Sequence, residues 1–199
     1  MNTYTYLALG DSYTIGEQVL SEDHFPNQTA ALLKGRVAAP DIIATTGWTT
    51  DELNAAIDAA AIRIEYDIVT LLIGVNNQYR GRHINNFATE FEDLLQRAIH
   101  FAGNKPNRVF VLSIPDWGAT PFADKRDSKQ IAIEIDLYNN ICEKVAKKNG
   151  AHFINITIAH RVDSKKNDFL AADQLHPSAK EYAKWALKLS KAIQMELDK

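Results

Sequence analysis

The chain has 199 residues, of which 46% are hydrophobic and 24% charged, so we expect one domain spanning residues 1–199 with a substantial core. Its formal net charge of -3 and its pI near 6.1 argue against nucleic acid as the main partner. The single cysteine, Cys142, excludes an intrachain disulfide framework and a cysteine-rich metal site.

The first residues do not resemble a targeting segment. Residues 1–5 are polar and uncharged, whereas a signal peptide needs a basic stretch followed by roughly 7–15 apolar residues. No run in the chain approaches the ~18 apolar residues of a membrane span. From the sequence as given, we expect a cytoplasmic protein without a membrane span.

The first half of the chain alternates between strand and helix patterns. An apolar run over residues 6–9 predicts a short buried strand that ends at Gly10. A polar loop follows it, and residues 27–34 predict a helix. Residues 41–45 predict a second strand, after which the Thr-x-x-Glu spacing of residues 49–52 is that of a capping box that opens a helix.

The clearest strand covers residues 67–73, because its nearly continuous apolar run is typical of a central parallel strand covered on both faces. The remaining elements are a helix over residues 86–102, a strand over 108–112, a loop over 113–126, a helix from Asp127 to about Gly150, a strand over 152–156 and a helix that begins near Pro177. This alternation predicts an α/β fold with a five-stranded parallel sheet, most simply in the flavodoxin-like order 2-1-3-4-5.

Several chemically active residue types follow the ends of these strands. Ser12 follows the first strand, Gly47 the second and Asn76 the third, and Asp173 and His176 precede the last helix. The carboxyl ends of parallel strands share one edge of the sheet, where ligands bind in open α/β folds. We therefore expect these residues to meet at that edge.

These residue types are the ones that a serine nucleophile needs for ester hydrolysis. The Ser12 hydroxyl is a weak nucleophile, and His176 can supply the imidazole that takes its proton. Asp173 can orient that imidazole and stabilise its protonated form. The backbone N–H groups of Ser12 and Gly47 and the Asn76 amide could converge on the oxyanion. The other histidines form no ligand-like pair, which argues against a metal site.

Four blocks in this order resemble the SGNH hydrolase family, also called GDSL-type esterases and lipases. They are Gly10-Asp11-Ser12, Gly47, Gly74-Val75-Asn76-Asn77 and Asp173-Gln174-Leu175-His176-Pro177-Ser178. The resemblance implies a three-layer α/β/α sandwich, a small-molecule ester substrate and no cofactor. It implies that Ser12, Asp173 and His176 form the catalytic triad, and that Ser12, Gly47 and Asn76 form the oxyanion hole. Asn77 departs from the family, which usually has aspartate there, and we expect this to affect local loop packing.

Four aromatic residues are candidates for substrate binding. The loop over residues 113–126 offers Trp117 and Phe122 to line a groove, and Trp48 and Tyr79 could close its other side. The alternatives are that Trp117 and Phe122 pack the loop onto the sheet and that Trp48 is a partly buried packing residue. An open cleft suits acetyl to about hexanoyl esters, since each methylene of a longer chain needs ~0.8 kcal/mol of apolar cover.

Other functions remain open from the sequence. A lysophospholipase or thioesterase of the same family would use the same residues on a different ester. From another class, a flavodoxin-like FMN-binding protein would share the fold and could hold phosphate in the loop after the first strand. The negative charge of Asp11 in that loop argues against phosphate. The sequence does not determine the oligomeric state.

Overall fold

The computed structural model describes residues 3–62 and 65–199, so the first two residues of the polar terminus lie outside it. The described residues form a five-stranded parallel sheet in the order β2-β1-β3-β4-β5, which confirms the predicted α/β fold and strand order. The strands are β1 (Tyr6–Gly10), β2 (Asp41–Ala44), β3 (Ile68–Leu72), β4 (Val109–Leu112) and β5 (His152–Ile154).

Helices surround this sheet. They are α1 (Ser12–Ile15), α2 (Phe25–Leu32), α3 (Thr50–Ala60), α4 (Val75–Tyr79), α5 (Ile84–Phe101), α6 (Ser128–Lys148), α7 (Thr157–Asp163) and α8 (Ala179–Leu197). The predicted capping box is present at the start of α3, and the Asp127 carboxylate caps α6 by accepting from the Gln130 N–H. None of the helices in the described ranges is long and apolar enough to cross a membrane.

Several stretches differ from the sequence prediction. The short helices α4 and α7 were not expected, and β5 ends at Ile154 rather than at residue 156. The residues directly after β1 are not all loop, because the Asp11 carboxylate caps the one-turn helix α1 and Gly16 ends it in the left-handed region. Helix α2 begins at Phe25 rather than at residue 27, since the His24 ring accepts from the Asn27 N–H and Pro26 suits a first helical turn.

The core lies on both sides of the central strands. Every residue of β1 and of β3 is buried, as the continuous apolar run over residues 67–73 predicts. Around them, α2 packs against α8, and α5 packs against both α3 and α6. Cys142 on α6 is a buried free thiol in this core, and burial raises its pKa.

The strand order fixes which loops meet. Because β1 lies between β2 and β3, the turn after β1 is flanked by the segments that follow β2 and β3. Gly10 permits this close approach, since a Cβ atom there would overlap the Thr14 side chain and the Leu72 carbonyl oxygen. Ser12 is thereby placed between the segments that carry Gly47 and Asn76.

Candidate active site

Ser12, His176 and Asp173 form a hydrogen-bonded chain at the carboxyl edge of the sheet. His176 Nε2 lies 3.0 Å from Ser12 Oγ, and His176 Nδ1 lies 2.6 Å from Asp173 Oδ2. Ser12 is 4% exposed and His176 is 8% exposed. The arrangement is that of a hydroxyl beside a base whose other nitrogen faces a carboxylate.

The loop before α8 holds Asp173 and His176 in this arrangement. The Ala171 N–H donates to the His176 carbonyl oxygen at 2.8 Å, which closes the loop on itself. Asp173 Oδ1 accepts from the backbone N–H groups of Leu175 and His176, each at 3.0 Å. One carboxylate oxygen therefore fixes the turn, and the other is left for the imidazole.

The same contacts set the ionisation of Asp173. Partial burial acts to raise its pKa, but the hydrogen bonds from the His176 side chain and from the His176 and Leu175 backbones outweigh it. The pKa of Asp173 is therefore lower than that of an ordinary aspartic acid, and the group stays a carboxylate at neutral pH.

Asp11 and Tyr13 flank Ser12 in the chain and are both buried. Burial raises the pKa of Asp11 to about 7, although a 3.0 Å hydrogen bond from the Tyr13 N–H opposes this. Asp11 therefore binds a proton more readily than an ordinary aspartic acid, which reduces the negative charge beside Ser12. The Tyr13 ring packs against the imidazole, with its centroid 5.4 Å from that of His176.

Gly47 and Asn76 reach the same place from the neighbouring strands. Gly47 has a φ of 89°, a backbone conformation that favours glycine, and a Cβ atom there would overlap no other described atom. The backbone conformation, and not a lack of space, is therefore the reason for glycine at this position. Asn76 Nδ2 donates one hydrogen bond to the Trp48 carbonyl oxygen at 2.9 Å. An amide has two N–H donors, and the second has no partner among the described residues.

These residues border a cavity of about 210 Å³. It is lined by Ser12, Tyr13, Thr46, Gly47, Val75, Asn76, Tyr79, Trp117, Phe122, Leu175 and His176. Sequence reasoning missed Tyr13, Thr46, Val75 and Leu175. Each of the four is the immediate chain neighbour of a predicted site residue, which is the pattern that could have identified them.

Trp48 is the exception among the four predicted aromatic residues. It is not among the described residues that line this cavity; its indole packs, partly buried, against the core. The expectation that it closes one side of the groove stays a prediction. The turn after β2 directs the Trp48 carbonyl toward Asn76, and its side chain packs beside the sheet.

Trp117 both packs the loop and lines the cavity. Its Nε1–H donates to Gln78 Oε1 at 2.7 Å, and Gln78 Nε2 in turn donates to Glu134 Oε2 at 2.7 Å. Tyr79 and Phe122 meet the Trp117 ring edge-on, with centroids 5.2 and 6.2 Å away. Trp117 therefore packs the loop and lines the cavity at the same time. Its hydrogen bond and ring contacts hold this part of the cavity wall in place.

Asn77, next to Asn76, points away from the cavity. Its Oδ1 accepts from the Thr50 N–H at 3.1 Å, and its Nδ2 donates to Thr50 Oγ1 at 2.6 Å. The amide thus joins α4 to the start of α3 with both of its polar atoms. Across residues 3–62 and 65–199, no group of three or more His, Cys, Asp or Glu side chains is placed to hold a metal ion.

Solved structures with the same fold include several esterases. The chain superimposes on the psychrotrophic esterase EstA from Pseudoalteromonas sp. with a TM-score of 0.73 at 16% identity, covering 98% of this chain and 100% of that one. For the lipase/acylhydrolase from Enterococcus faecalis the TM-score is 0.73 at 20% identity, covering 97% and 96%. For Axe2, an acetylxylan esterase from Geobacillus stearothermophilus, it is 0.70 at 16% identity, covering 98% and 94%.

At these identities the structural likeness establishes the fold alone. No curated protein matches the sequence. The sequence model of the GDSL-like lipase/acylhydrolase family does match, over residues 8–184, and so includes both ends of the candidate site. The chain therefore belongs to the GDSL-like lipase/acylhydrolase family.

Proposed function

We propose that this protein is a serine esterase that hydrolyses carboxylic esters of small or medium acyl groups through an acyl-enzyme. The observation that carries the proposal is the 3.0 Å contact of His176 Nε2 with Ser12 Oγ, with Asp173 on the other ring nitrogen. Family membership supports acyl hydrolysis as the reaction class. It argues against the FMN-binding alternative, which shares the fold but gives Asp173 and His176 no role.

In the first half of the reaction, Ser12 Oγ attacks the ester carbonyl carbon while His176 Nε2 takes the hydroxyl proton. The carbonyl oxygen becomes an oxyanion that the N–H groups of Ser12 and Gly47 and the Asn76 amide stabilise. When this intermediate collapses, the alcohol leaves with the proton from His176. Water then attacks the acyl-serine with His176 again as base, and the acid product and free Ser12 result. Asp173 stays ionised throughout.

The cavity supports a small acyl group. Its volume of about 210 Å³ is less than the roughly 300–1,000 Å³ of clefts that hold drug-sized ligands. Trp117 is held from behind by Gln78, so the wall cannot easily retreat from a longer chain.

The test of this function is a hydrolysis screen with acyl esters of increasing chain length and with acetylated sugars, using Ser12→Ala as the blank. We expect the highest kcat/KM on acetyl to about hexanoyl esters, and no activation by a lipid interface. A preference of about tenfold or more for palmitoyl over butyryl esters would replace the short-acyl assignment with a lysophospholipase. Faster turnover of acyl thioesters than of the matched oxygen esters would favour the thioesterase alternative.

A second prediction separates the two adjacent asparagines. Asn76→Ala should lower kcat by about 10²–10³, the usual effect of removing one oxyanion donor. Asn77→Ala should lower kcat far less, because the Asn77 side chain bonds only Thr50 within the described residues. It should instead cost about 1–3 kcal/mol of stability, since the buried Thr50 N–H loses its acceptor.

Steady-state kinetics and thermal melts of both variants provide the measurement. The reverse ranking in kcat would mean that Asn77, not Asn76, faces the oxyanion.

A further inference from the structure

Arg80 joins the Gly47 turn to the first turn of α3. It lies four residues after Asn76, just past the end of α4. Its Nη2 donates to the Gly47 carbonyl oxygen at 2.6 Å, and its Nη1 lies 3.2 and 3.3 Å from the two carboxylate oxygens of Glu52. The planar guanidinium suits such a bridge because its donors are fixed in a fork.

Glu52 is itself held in place. It is the acidic residue of the capping box, and its Oε2 accepts from the Thr49 N–H at 2.8 Å and from Thr49 Oγ1 at 2.9 Å. Arg80 is therefore anchored to a rigid helix start rather than to a mobile side chain. As an exposed ion pair, Arg80–Glu52 should contribute little to stability. The main effect of Arg80 is therefore expected on the backbone group that it binds.

What it holds is the backbone of Gly47. Glycine has the greatest backbone freedom of any residue, and Gly47 sits at a positive φ where no side chain restricts it. Two consecutive carbonyl groups of this turn are fixed from α4 and its end: Gly47 O by Arg80, and Trp48 O by Asn76. These contacts restrict the dihedral angles that decide where the Gly47 N–H points.

We propose that Arg80 is a positioning residue for the oxyanion hole, which keeps the Gly47 N–H aimed at the developing oxyanion through its bond to the Gly47 carbonyl. The inference rests on the proposed function, since it gives that N–H its role. Misplacing a reacting group by about 1 Å can cost 10²-fold in rate. Deleting an oxyanion donor costs about 10²–10³. Loosening a donor that is still present should cost less, about tenfold.

Arg82 provides a matched control. It pairs with Asp51 at 2.5 Å, so it links the same segment to the same turn of α3, and within the part of the chain that the structure describes it makes no hydrogen bond to Gly47. We expect Arg80→Ala to lower kcat about tenfold with KM within about twofold, and Arg82→Ala to leave both within about twofold. Arg80→Lys keeps the charge but cannot bridge both acceptors, so its kcat should lie between those of wild type and Arg80→Ala.

A second measurement tests the stabilisation of the oxyanion separately from substrate turnover. Ethylboronic acid forms a tetrahedral anionic adduct with a serine hydroxyl, so its inhibition constant should rise in Arg80→Ala by about the same factor as kcat falls. Millimolar guanidinium should restore part of the kcat of Arg80→Ala. Equal kcat losses in Arg80→Ala and Arg82→Ala, or a change in KM alone, would overturn the inference while wild-type turnover leaves the proposed function standing. Wild-type protein without Ser12-dependent turnover would overturn both.

Discussion

Ser12→Ala is expected to abolish ester turnover while the fold stays intact. The Ser12 hydroxyl bonds to His176 Nε2, at a turn on the edge of the sheet, and the core clusters of the protein do not depend on it. Removing the nucleophile of a serine hydrolase costs about 10⁶-fold in kcat, nearly as much as removing the whole triad. Initial rates with an acetyl or butyryl ester measure the loss, and the thermal midpoint should stay close to that of the wild type.

Covalent labelling tests the same residue independently of substrate choice. A serine-directed phosphonylating reagent should modify the wild type once, at Ser12, because its hydroxyl lies beside the imidazole base. Ser21→Ala is a suitable control, since Ser21 is exposed and, within the described residues, its hydroxyl bonds only to the neighbouring Glu22. The Ser21→Ala variant should be labelled at Ser12 and should hydrolyse the ester at the wild-type rate. Labelling at another serine, or undiminished turnover in Ser12→Ala, would end the assignment of Ser12 as nucleophile.

The strands and their order could be predicted because they depend on local patterns and simple topology. Continuous apolar runs identified β1 and β3, and the alternation with helices left few ways to arrange a parallel sheet. The helix α1 could not be predicted in the same way. It has one turn, and what stabilises it is the Asp11 cap and the left-handed Gly16, not a repeating apolar face.

The positions of individual side chains depended on contacts that the sequence does not contain. Trp48 and Tyr79 were equivalent candidates, yet only Tyr79 lines the cavity among the described residues. Arg80 gave no sequence pattern at all, because its bond to Gly47 joins positions 33 apart. Such a contact exists only once β2 and β3 both lie beside β1.

Asp173→Asn is expected to lower kcat by about 10⁴ while leaving the loop folded. The asparagine carbonyl oxygen can keep both backbone hydrogen bonds that Asp173 Oδ1 now accepts, from Leu175 and His176. Its NH₂ group then replaces the oxygen that faces His176 Nδ1. A donor at that position favours the tautomer that carries its proton on Nε2. Since Nε2 is the atom that faces Ser12 Oγ, no base remains for the hydroxyl proton.

Asp168→Asn is the matched control, because Asp168 is an exposed carboxylate of the same region that pairs with Lys180. Its kcat should stay close to that of the wild type. Equal losses in the two variants would mean that loss of negative charge near the site, rather than the tautomer, explains the effect.

The pH dependence of kcat/KM distinguishes the ionisation of Asp173 from the ionisation of the base. The pKa of Asp173 is lowered, so its carboxylate and the stability it contributes are present above the ordinary aspartate pKa of about 3.9 and are lost only as pH falls below it. Asp173 therefore does not titrate between about pH 5 and 8. A fall in wild-type kcat/KM on acidification within that window must come from protonation of another group, either the imidazole base of the mechanism or Asp11, whose pKa burial raises to about 7. A flat wild-type profile over this range would argue against His176 as that base.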